Sequence, residues 1–263
     1  MKIGIVSAEP SGDLLGSKIL SKLKEKFEDL EVVGVGDGPL VQKNISTDRE
    51  ILEIMGLVDP ILNFQKIINF RNNLIQKFID ENIDIFIGID APDFNFEIHK
   101  KLQKKGIKTV HVVCPSVWAW RPGRVKQFNY VDYMLCLFPF ELEYCANVNK
   151  QAFCIGHPLL DKQKDFENDD KENIICIMPG SRKAEIQNNL EVMIDGFNQF
   201  NFEEKYKAII PIYKEDDKYL IQDKIQKHKN ITFANVESSE ILKKAKAAVV
   251  CSGTATLEAL LAE

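Results

Sequence analysis

The stretch KIGIVSAEPSGDLLGSKILSKLKEKFEDLEVVGV, residues 2–35, contains two apolar runs separated by a turn and a helical pattern. The runs Lys2–Ser7 and Glu31–Val35 have the continuous hydrophobicity of strands that are buried on both faces of a parallel sheet. Ser11 is placed to cap the helix between them. Apolar residues recur at every fourth position of that helix and predict one buried face: Leu15, Ile19, Leu23 and Phe27. A strand, a helix and a second strand in this order predict a βαβ unit, and hence a doubly wound α/β fold.

The same alternation continues along the chain. Further strands are predicted at residues 83–89, 108–113, 132–137 and 152–155, and a second series at 173–178, 206–211, 230–234 and 246–251. Residues 161–172 are charged and poor in aromatic side chains, as is typical of an exposed linker. We therefore expect two Rossmann-like domains, residues 1–160 and 173–263. The second series stops after four strands and a short helical pattern, so we expect the second domain to be incomplete.

Composition and charge argue against several classes of protein. The 263 residues are 45% hydrophobic and 28% charged, which supplies enough apolar material for a core and argues against disorder. The net charge of −5 is spread over mixed Lys and Glu without a basic block, so we expect no nucleic-acid partner. The N-terminus has the pattern of a strand and not of a signal peptide. No apolar run reaches the ~18 residues of a membrane span, which predicts a soluble or peripheral protein.

The six cysteines are scattered, mostly inside apolar runs: Cys114, Cys136, Cys145, Cys154, Cys176 and Cys251. They form no CxxC pair and no Cys/His cluster along the sequence, so we predict no metal site and no disulfide framework. Reduced, buried thiols in a cytosolic protein are the natural interpretation.

A first polar cluster follows the first predicted strand, in SAEPSGD, residues 7–13. Ligands of open α/β sheets bind beyond the carboxyl ends of strands, near the N–H groups of helix N-termini. Glu9, Ser11 and Gly12 are therefore candidate binding residues, although Ser11 and Asp13 could serve only as helix caps. No GxGxxG turn is present, so we expect no dinucleotide cofactor and predict no other cofactor.

A second polar cluster is GIDAPDFN, residues 88–95, directly after a strongly apolar strand. A carboxylate at the end of this strand can accept a proton from a substrate hydroxyl, which makes Asp90 the candidate general base. Asp93 could bind the same substrate, or it could cap the helix that follows Pro92. The Asp-x-x-Asp spacing does not predict a metal site.

An aromatic segment, VVCPSVWAWRPGR, residues 112–124, places two tryptophans between prolines at the end of a predicted strand. A rigid aromatic loop can pack against sugar rings or acyl chains, although tryptophan is more often a core residue. The neighbouring Pro, Ser and Arg residues favour a loop. Trp118 and Arg121 are therefore candidate ligand-binding residues.

The second domain offers two glycine-containing loops: MPGSR, residues 178–182, after its first strand, and SGTATLE, residues 252–258, after its fourth. Each combines glycine and hydroxyl residues at a helix start, where N–H groups can hold a diphosphate, although either could be an ordinary cap. Arg182 could neutralise phosphate charge, and Glu258 could reach ribose hydroxyls. The candidate nucleotide-binding residues are Gly180, Ser181, Arg182, Ser252, Gly253, Thr254 and Glu258.

Six motifs together resemble the lipid-A-disaccharide synthases, a family of GT-B glycosyltransferases. In chain order they are SAEPSGD, GIDAPDFN, PSVWAWR, GHPL, PGSR and SGTATLE, and they spread over essentially the whole chain. The resemblance implies two Rossmann-like domains, the first on the acceptor side and the second binding the nucleotide sugar. It also implies that the family's last segment is absent from these 263 residues, so we expect little or no activity from this chain alone.

The resemblance implies transfer of 2,3-diacylglucosamine from UDP-2,3-diacylglucosamine to the 6-hydroxyl of 2,3-diacylglucosamine 1-phosphate. Inversion by a single displacement requires a base and stabilisation of the departing diphosphate. By resemblance, Asp90 is the base, Arg182 and the SGTAT backbone hold the diphosphate, and Glu258 contacts the ribose. Glu9 and the PSGD turn would line the acceptor side. The family's location implies a peripheral protein at the cytoplasmic face of the inner membrane, to which the apolar residues 60–78 could contribute.

Other functions stay open from the residues. A UDP-sugar epimerase of GT-B fold would bind UDP in a similar way but would not need the aromatic loop. A nucleotide-dependent oxidoreductase is disfavoured by the missing dinucleotide fingerprint, and a non-enzymatic binding module is a third alternative. The base is also open, because Asp93, Glu9 or His111 could take the place of Asp90.

Overall fold

The computed structural model of the chain describes residues 1–8, 10–36, 45–46, 64–146, 148, 151–161, 170–181, 183–201, 203–212 and 215–262. The chain divides into two compact units, unit 1 (Met1–His157) and unit 2 (Pro158–Glu263). The candidate residues Glu9 and Arg182, and most of the predicted linker, lie outside the described residues.

Unit 1 contains a parallel sheet with the strand order β3-β2-β1-β4-β5-β6-β7. The strands are β1 (Lys2–Ser7), β2 (Glu31–Val35), β3 (Ile45–Ser46), β4 (Ile85–Ile89), β5 (Lys108–Val112), β6 (Tyr133–Cys136) and β7 (Gln151–Cys154). The helices are α1 (Pro10–Lys24), α2 (Phe64–Asp80), α3 (Pro92–Gln103) and α4 (Leu142–Ala146), with 3-10 helices at Pro122–Tyr130 and Pro139–Glu141. The predicted βαβ start and the doubly wound α/β class are confirmed.

Unit 2 repeats the pattern with parallel strands in the order β10-β9-β8-β11. The strands are β8 (Glu172–Met178), β9 (Lys207–Pro211), β10 (Ile231–Ala234) and β11 (Ala245–Val250). The helices are α5 (Lys183–Phe200), α6 (Glu215–Ile225), α7 (Ser238–Lys244) and α8 (Thr254–Leu261).

The core of unit 1 forms where apolar helix faces meet the central strands. Leu74, Ile75 and Phe78 of α2 are buried and belong to one cluster with Phe86 of β4. The first residue of α2, Phe64, is 63% exposed, whereas Ile67 and Phe70 are partly buried against the same cluster. Among the described residues, no helix is both long enough and apolar enough to cross a bilayer.

Helix α1 differs from the sequence prediction at both ends. It begins at Pro10, whose fixed φ suits the first helical position, so Ser11 lies within the first turn and is not the cap residue. The helix ends at Lys24, before the predicted fourth apolar position. Phe27 is therefore outside the helix and 42% exposed, and it does not extend the buried face.

The strand order reverses between β1 and β4 in unit 1, and between β8 and β11 in unit 2. In open α/β sheets, ligands bind outside the carboxyl ends of the strands at such a switch point, because the loops on its two sides diverge. The segments that follow these four strands are SAEPSGD, GIDAPDFN, MPGSR and SGTATLE. The topology thus places the sequence-predicted clusters at the two positions where this fold binds ligands.

Close packing of α1 on the sheet depends on Gly12. A Cβ at this position would lie 2.6 Å from Ser7 Oγ and 3.2 Å from Ile89 Cγ2. Overpacking of this contact costs about 1–3 kcal/mol, and the higher helix propensity of alanine offsets about 0.5–1 kcal/mol of it. We therefore expect Gly12→Ala to lower the free energy of unfolding of unit 1 by ~1–2 kcal/mol.

Gly196→Ala is the matched control, since a Cβ on that residue of α5 meets nothing within 4 Å. Alanine there should raise the free energy of unfolding of unit 2 by about 0.5–1 kcal/mol. Urea unfolding followed by circular dichroism tests both variants. A Gly12→Ala protein as stable as the parent would contradict the close contact.

Candidate functional site

The switch point of unit 1 is built around Asp90. Ser7 of β1 pairs with Ile89 of β4, and Asp90 follows immediately, with its N–H donating to the carbonyl of Val112 at 2.9 Å. Asp90 and Ala91 then have φ angles of 49° and 41°, in the left-handed region that residues other than glycine rarely occupy. Two such residues in succession turn the chain into α3, and strained backbone of this kind is concentrated at functional sites.

Asn95 holds this turn in place. Its side chain is fully buried, and its Nδ2 donates to the carbonyl oxygens of Asp90 at 2.8 Å and Ile89 at 3.3 Å. Gly88 leaves the necessary space, because a Cβ there would lie 3.0 Å from Asn95 Cγ. From the sequence, Asn95 was only the last residue of GIDAPDFN and had no role. The structure identifies it as the residue that positions Asp90.

A buried histidine pair lies beneath the turn. His99 Nε2 of α3 and His111 Nδ1 of β5 are 3.1 Å apart, and both side chains are 0% exposed. Burial lowers the pKa of both imidazoles, that of His111 to about 3, so the pair is neutral near pH 7. The complete burial of His111 argues against the alternative in which it deprotonates a substrate hydroxyl.

Asp93 lies in the first turn of α3 and pairs with two arginines. Both of its carboxylate oxygens accept from Arg124 Nη2 at 2.6 Å, and Oδ2 also accepts from Arg121 Nη1 at 3.3 Å. The helix N-cap is Ala91, so Asp93 is not the cap residue that the sequence left open. Two guanidinium groups compensate its charge and tie α3 to the aromatic loop. Arg124 was not among the residues predicted from the sequence.

The aromatic loop of unit 1 lies at the surface. The Trp118 ring, 37% exposed, packs edge-on against Phe140 at 4.8 Å between ring centroids and lies 5.9 Å from Tyr144. Trp120 is 60% exposed, and the Arg121 guanidinium carbon lies 5.2 Å from its ring centroid. Neither tryptophan is a core residue, so the loop interpretation of this segment agrees with the structure.

The switch point of unit 2 brings its two candidate loops together. The N–H of Cys251, just after β11, donates to the carbonyl of Met178 at the end of β8 at 2.8 Å. Asn189 of α5 bridges the two loops, because its Nδ2 donates to the Pro179 carbonyl at 3.0 Å and to Cys251 Sγ at 3.4 Å. Asn189 is a second asparagine that the sequence did not single out.

The loop after β8 is closed by a carboxylate. The N–H of Ser181 donates to Glu185 Oε2 at 3.1 Å. Gly180 has a φ of 125°, and a Cβ there would lie 2.5 Å from the same oxygen, so this position requires glycine. One of the N–H groups that the sequence assigned to a diphosphate therefore already has a partner in this structure.

The loop after β11 is more open. Ser252, Gly253 and Thr254 are exposed at the start of α8, where the helix N-terminus favours anions. One turn further on, Glu258 Oε2 accepts from Ser238 Oγ at 2.6 Å, and Ser238 is buried. This bond fixes the Glu258 carboxylate in one orientation.

Comparison with known proteins assigns the chain to a family. A family model described as lipid-A-disaccharide synthetase matches residues 3–263. The chain belongs to the lipid-A-disaccharide synthase family. The lipid-A-disaccharide synthase of Francisella philomiragia subsp. philomiragia is 35% identical over 99% of this chain and 73% of its own length. That of Methylobacillus flagellatus is 34% identical over 98% of this chain and 73% of its own length. The predicted function class, a glycosyltransferase of lipid A biosynthesis, is confirmed.

Solved structures agree with this assignment at the level of the fold. A Methanocaldococcus jannaschii UDP-GlcNAc 2-epimerase, in complex with UDP-GlcNAc and UDP, has a TM-score of 0.64 and 15% identity over 100% of this chain and 82% of that chain. A lipopolysaccharide outer core galactosyltransferase in its apo form has a TM-score of 0.54 and 14% identity over 100% of this chain and 78% of that chain. These identities show the fold alone, and they confirm the predicted GT-B class.

Asn95 gives the first testable consequence for this family member. We expect Asn95→Ala to lower the free energy of unfolding of unit 1 by about 1–3 kcal/mol, because it removes a buried donor from main-chain carbonyls. Asn129→Ala is the matched control, since its Nδ2 donates to the Lys126 carbonyl at 3.1 Å on the surface. The control should change stability by no more than about 0.5 kcal/mol. Equal stabilities in urea unfolding, followed by tryptophan fluorescence, would contradict the positioning role.

The histidine pair makes the stability of unit 1 depend on pH. A histidine whose pKa is lower in the folded state takes up a proton on unfolding, so its stabilisation is complete above the unfolded pKa of about 6.5 and is lost as the pH falls towards the folded pKa. Between about pH 7 and pH 5 we expect a slope approaching 1.4 kcal/mol per pH unit for each histidine. Urea unfolding across this range measures the slope, which His111→Gln should reduce. A flat profile would show that the folded protein does not hold the pair neutral.

Proposed function

We propose that this protein transfers 2,3-diacylglucosamine from UDP-2,3-diacylglucosamine to the 6-hydroxyl of 2,3-diacylglucosamine 1-phosphate. The products are the β-1,6-linked disaccharide and UDP, and the configuration at the donor C1 is inverted. Membership of the synthase family supports this reaction. The observation that carries the residue assignment is the Asp90 turn, a carboxylate at the switch point of unit 1 on a backbone fixed by Asn95.

Asp90 is the proposed general base. In a single displacement, the acceptor O6 attacks C1 of the donor sugar while the bond from C1 to the diphosphate oxygen breaks, and the O6 proton passes to the carboxylate. A base must be held close to its substrate to act in this way, and the hydrogen bond of 2.8 Å from Asn95 to the Asp90 carbonyl restrains the main chain from which the carboxylate extends. The neutral His99–His111 pair adds no positive charge beneath the turn.

Unit 2 is the proposed nucleotide-sugar domain. The departing diphosphate carries the charge that develops in the transition state, and N–H groups at a helix start can stabilise it. We assign this role to Ser252, Gly253 and Thr254 at the start of α8, together with Gly180, Ser181 and Arg182. Glu185 shapes the loop after β8. Glu258, oriented by Ser238, is the proposed ribose contact.

Unit 1 is the proposed acceptor domain. We assign acceptor binding to Glu9, Ser11, Gly12, Asp93, Trp118 and Arg121. The exposed rings of Trp118, Trp120 and Phe140 provide an aromatic surface suited to acyl chains. In this proposal the domains are residues 1–160 and 173–263, joined by 161–172, and the protein is peripheral at the cytoplasmic face of the inner membrane.

A UDP-sugar epimerase is the alternative that the solved structures raise, but their likeness extends to the fold alone. The two reactions differ in their products. A transferase releases UDP only when the acceptor is present, whereas an epimerase returns an isomerised UDP-sugar without any acceptor. Measuring UDP with and without 2,3-diacylglucosamine 1-phosphate distinguishes them.

The decisive experiment compares Asp90→Asn with Asp29→Asn, which changes an exposed aspartate far from the switch point in sequence. Both acylated glucosamines are supplied in detergent micelles. Because the chain covers 73% of the Francisella philomiragia synthase, the assay uses the chain alone and the chain joined to the matching remainder of that relative.

We expect Asp90→Asn to lower acceptor-dependent UDP release by about 10²–10⁴-fold, because the amide cannot accept the O6 proton. Asp29→Asn should leave the rate unchanged. If Asp90→Asn keeps full activity, the transferase assignment survives and the base lies elsewhere. Absence of acceptor-dependent UDP release from the joined protein would contradict the transferase proposal itself.

A further inference from the structure

One carboxylate of unit 1 contacts two guanidinium groups, so these three side chains together carry an excess positive charge. Arg124 Nη2 lies 2.6 Å from both oxygens of Asp93, and the Arg124 side chain is only 12% exposed. Arg121 Nη1 makes a single, longer contact of 3.3 Å, and its side chain is 56% exposed. Arg124 therefore neutralises Asp93, and the charge of Arg121 is left exposed to solvent.

The backbone fixes the position of Arg121. Its φ of 49° lies in the left-handed region, although it is not a glycine and Pro122 follows it. The residue before a proline favours an extended conformation, so Arg121 is strained, and strain of this kind is concentrated at functional sites and ligand clamps. The 3-10 helix that begins after Arg121 is anchored in the core by Phe128, which is 0% exposed. Arg121 is therefore held at the start of an anchored helix.

The donors of Arg121 suit a phosphate group. A guanidinium has five N–H donors in a planar fork, which can bind two phosphate oxygens at once. One donor is used on Asp93, and the guanidinium carbon lies 5.2 Å from the centroid of the Trp120 ring, within the range of a cation–π contact. Among the described residues, the Arg121 side chain makes no other hydrogen bond. Its remaining donors are therefore available to a ligand.

Arg121 is held close to the segment that carries the proposed base. Its partner Asp93 follows Asp90 by three residues, in the first turn of α3. In 2,3-diacylglucosamine 1-phosphate, the phosphate on C1 and the carbon that carries O6 are attached to the two ring carbons that flank the ring oxygen. An acceptor whose O6 meets Asp90 therefore has its phosphate one sugar ring away from that carboxylate. A cation beside the phosphate lowers the repulsion between these two anions.

We propose that Arg121 binds the 1-phosphate of the acceptor, and that Arg124 is a positioning residue that neutralises Asp93 and leaves the Arg121 guanidinium to the phosphate. The identity of the ligand rests on the proposed function. Asp93 then contributes to acceptor binding by orienting Arg121 and not by contacting the sugar. A phosphate monoester carries up to two negative charges at pH 7, and at this exposed position water and counter-ions screen the charge that one guanidinium does not compensate.

The test measures binding, so it does not require turnover. The 263-residue chain is titrated with 2,3-diacylglucosamine 1-phosphate, and separately with 2,3-diacylglucosamine, in micelles of a neutral detergent. Tryptophan emission reports binding, because Trp118 and Trp120 are the two tryptophans of the chain and both lie in the aromatic loop. Micelles with the same content of phosphatidylglycerol, a phosphodiester lipid, distinguish recognition of the monoester from attraction to any anionic surface. We expect the phosphorylated ligand to bind at least about 10-fold more tightly than either of the others.

Arg121→Gln should weaken binding of the phosphorylated ligand by about 10- to 100-fold, because hydrogen bonds from a charged donor to the phosphate are lost. Binding of the unphosphorylated ligand should stay the same. Lys126→Gln is the matched control, since it removes an exposed cation from the same 3-10 helix and should change neither affinity.

Arg124→Gln tests the positioning role. Without Arg124, the Asp93 carboxylate competes with the phosphate for Arg121, and the phosphorylated ligand should bind about 10-fold more weakly. Arg124→Gln/Asp93→Asn removes the competing carboxylate and should restore affinity to within about 3-fold of the parent protein. Loss of packing around Arg124 would not be repaired by the second substitution, so a double variant that stays weak would overturn the positioning role.

A parent protein without preference for the phosphorylated ligand, or an Arg121→Gln protein that keeps the preference, would overturn the phosphate site. Equal binding to phosphatidylglycerol micelles would overturn it in favour of a general attraction to anionic lipid. Preference for the phosphorylated ligand in a joined protein that releases no acceptor-dependent UDP would contradict the transferase proposal and support the phosphate site.

Discussion

Parallel pairing of β1 with β4 is the constraint on which the candidate site of unit 1 depends. Parallel strands end at the same edge of a sheet. Because the strand order reverses here, the segments that follow β1 and β4 diverge and leave a crevice between them. The register that sets Ser7 beside Ile89 also determines that Asp90 is the first residue beyond the paired strand. Because β4 is buried on both faces, close packing holds this register, and Gly88 packs directly against Asn95 and His99. This packing fixes the position from which the carboxylate extends.

Three buried polar side chains lie beneath the turn that carries Asp90. Asn95, His99 and His111 are all fully buried, although burial of polar groups is unfavourable unless they are hydrogen-bonded. The asparagine uses its N–H groups on main-chain carbonyls, and the histidines bond to each other in neutral form. The other polar atom of each side chain, Asn95 Oδ1, His99 Nδ1 and His111 Nε2, is buried without a hydrogen-bond partner among the described residues. Apolar side chains of similar volume would fill the same space, but none could donate to the carbonyls of the turn. The polar layer therefore sets the shape of the site at some cost in stability.

Patterns local in the chain predicted most of the fold and the position of Asp90. Continuous apolar runs located the strands, and the turn residues after them located the candidate loops. Interactions that depend on folded backbone or on distant segments could not be predicted in this way. Pairing of Asp93 with Arg124 joins residues 31 positions apart. The buried thiols of Cys114, Cys136 and Cys145 lie within 4.8 Å of one another, although their spacing in the sequence gives no sign of it. The end of α1 before Phe27 was missed because apolar periodicity does not mark where a helix stops.

The two units use the same device at their switch points. A buried or partly buried asparagine on the helix after a central strand donates to a main-chain carbonyl at that strand's end: Asn95 to Asp90 in unit 1, and Asn189 to Pro179 in unit 2. Where the chain leaves the sheet, these carbonyls lose their ladder partners and need another donor. An ionised aspartate has the same size but only accepts, and a serine is too short to reach across a turn. Asparagine therefore suits both positions because its side chain donates a hydrogen bond. The two units share this contact although the proposed reaction assigns them different ligands.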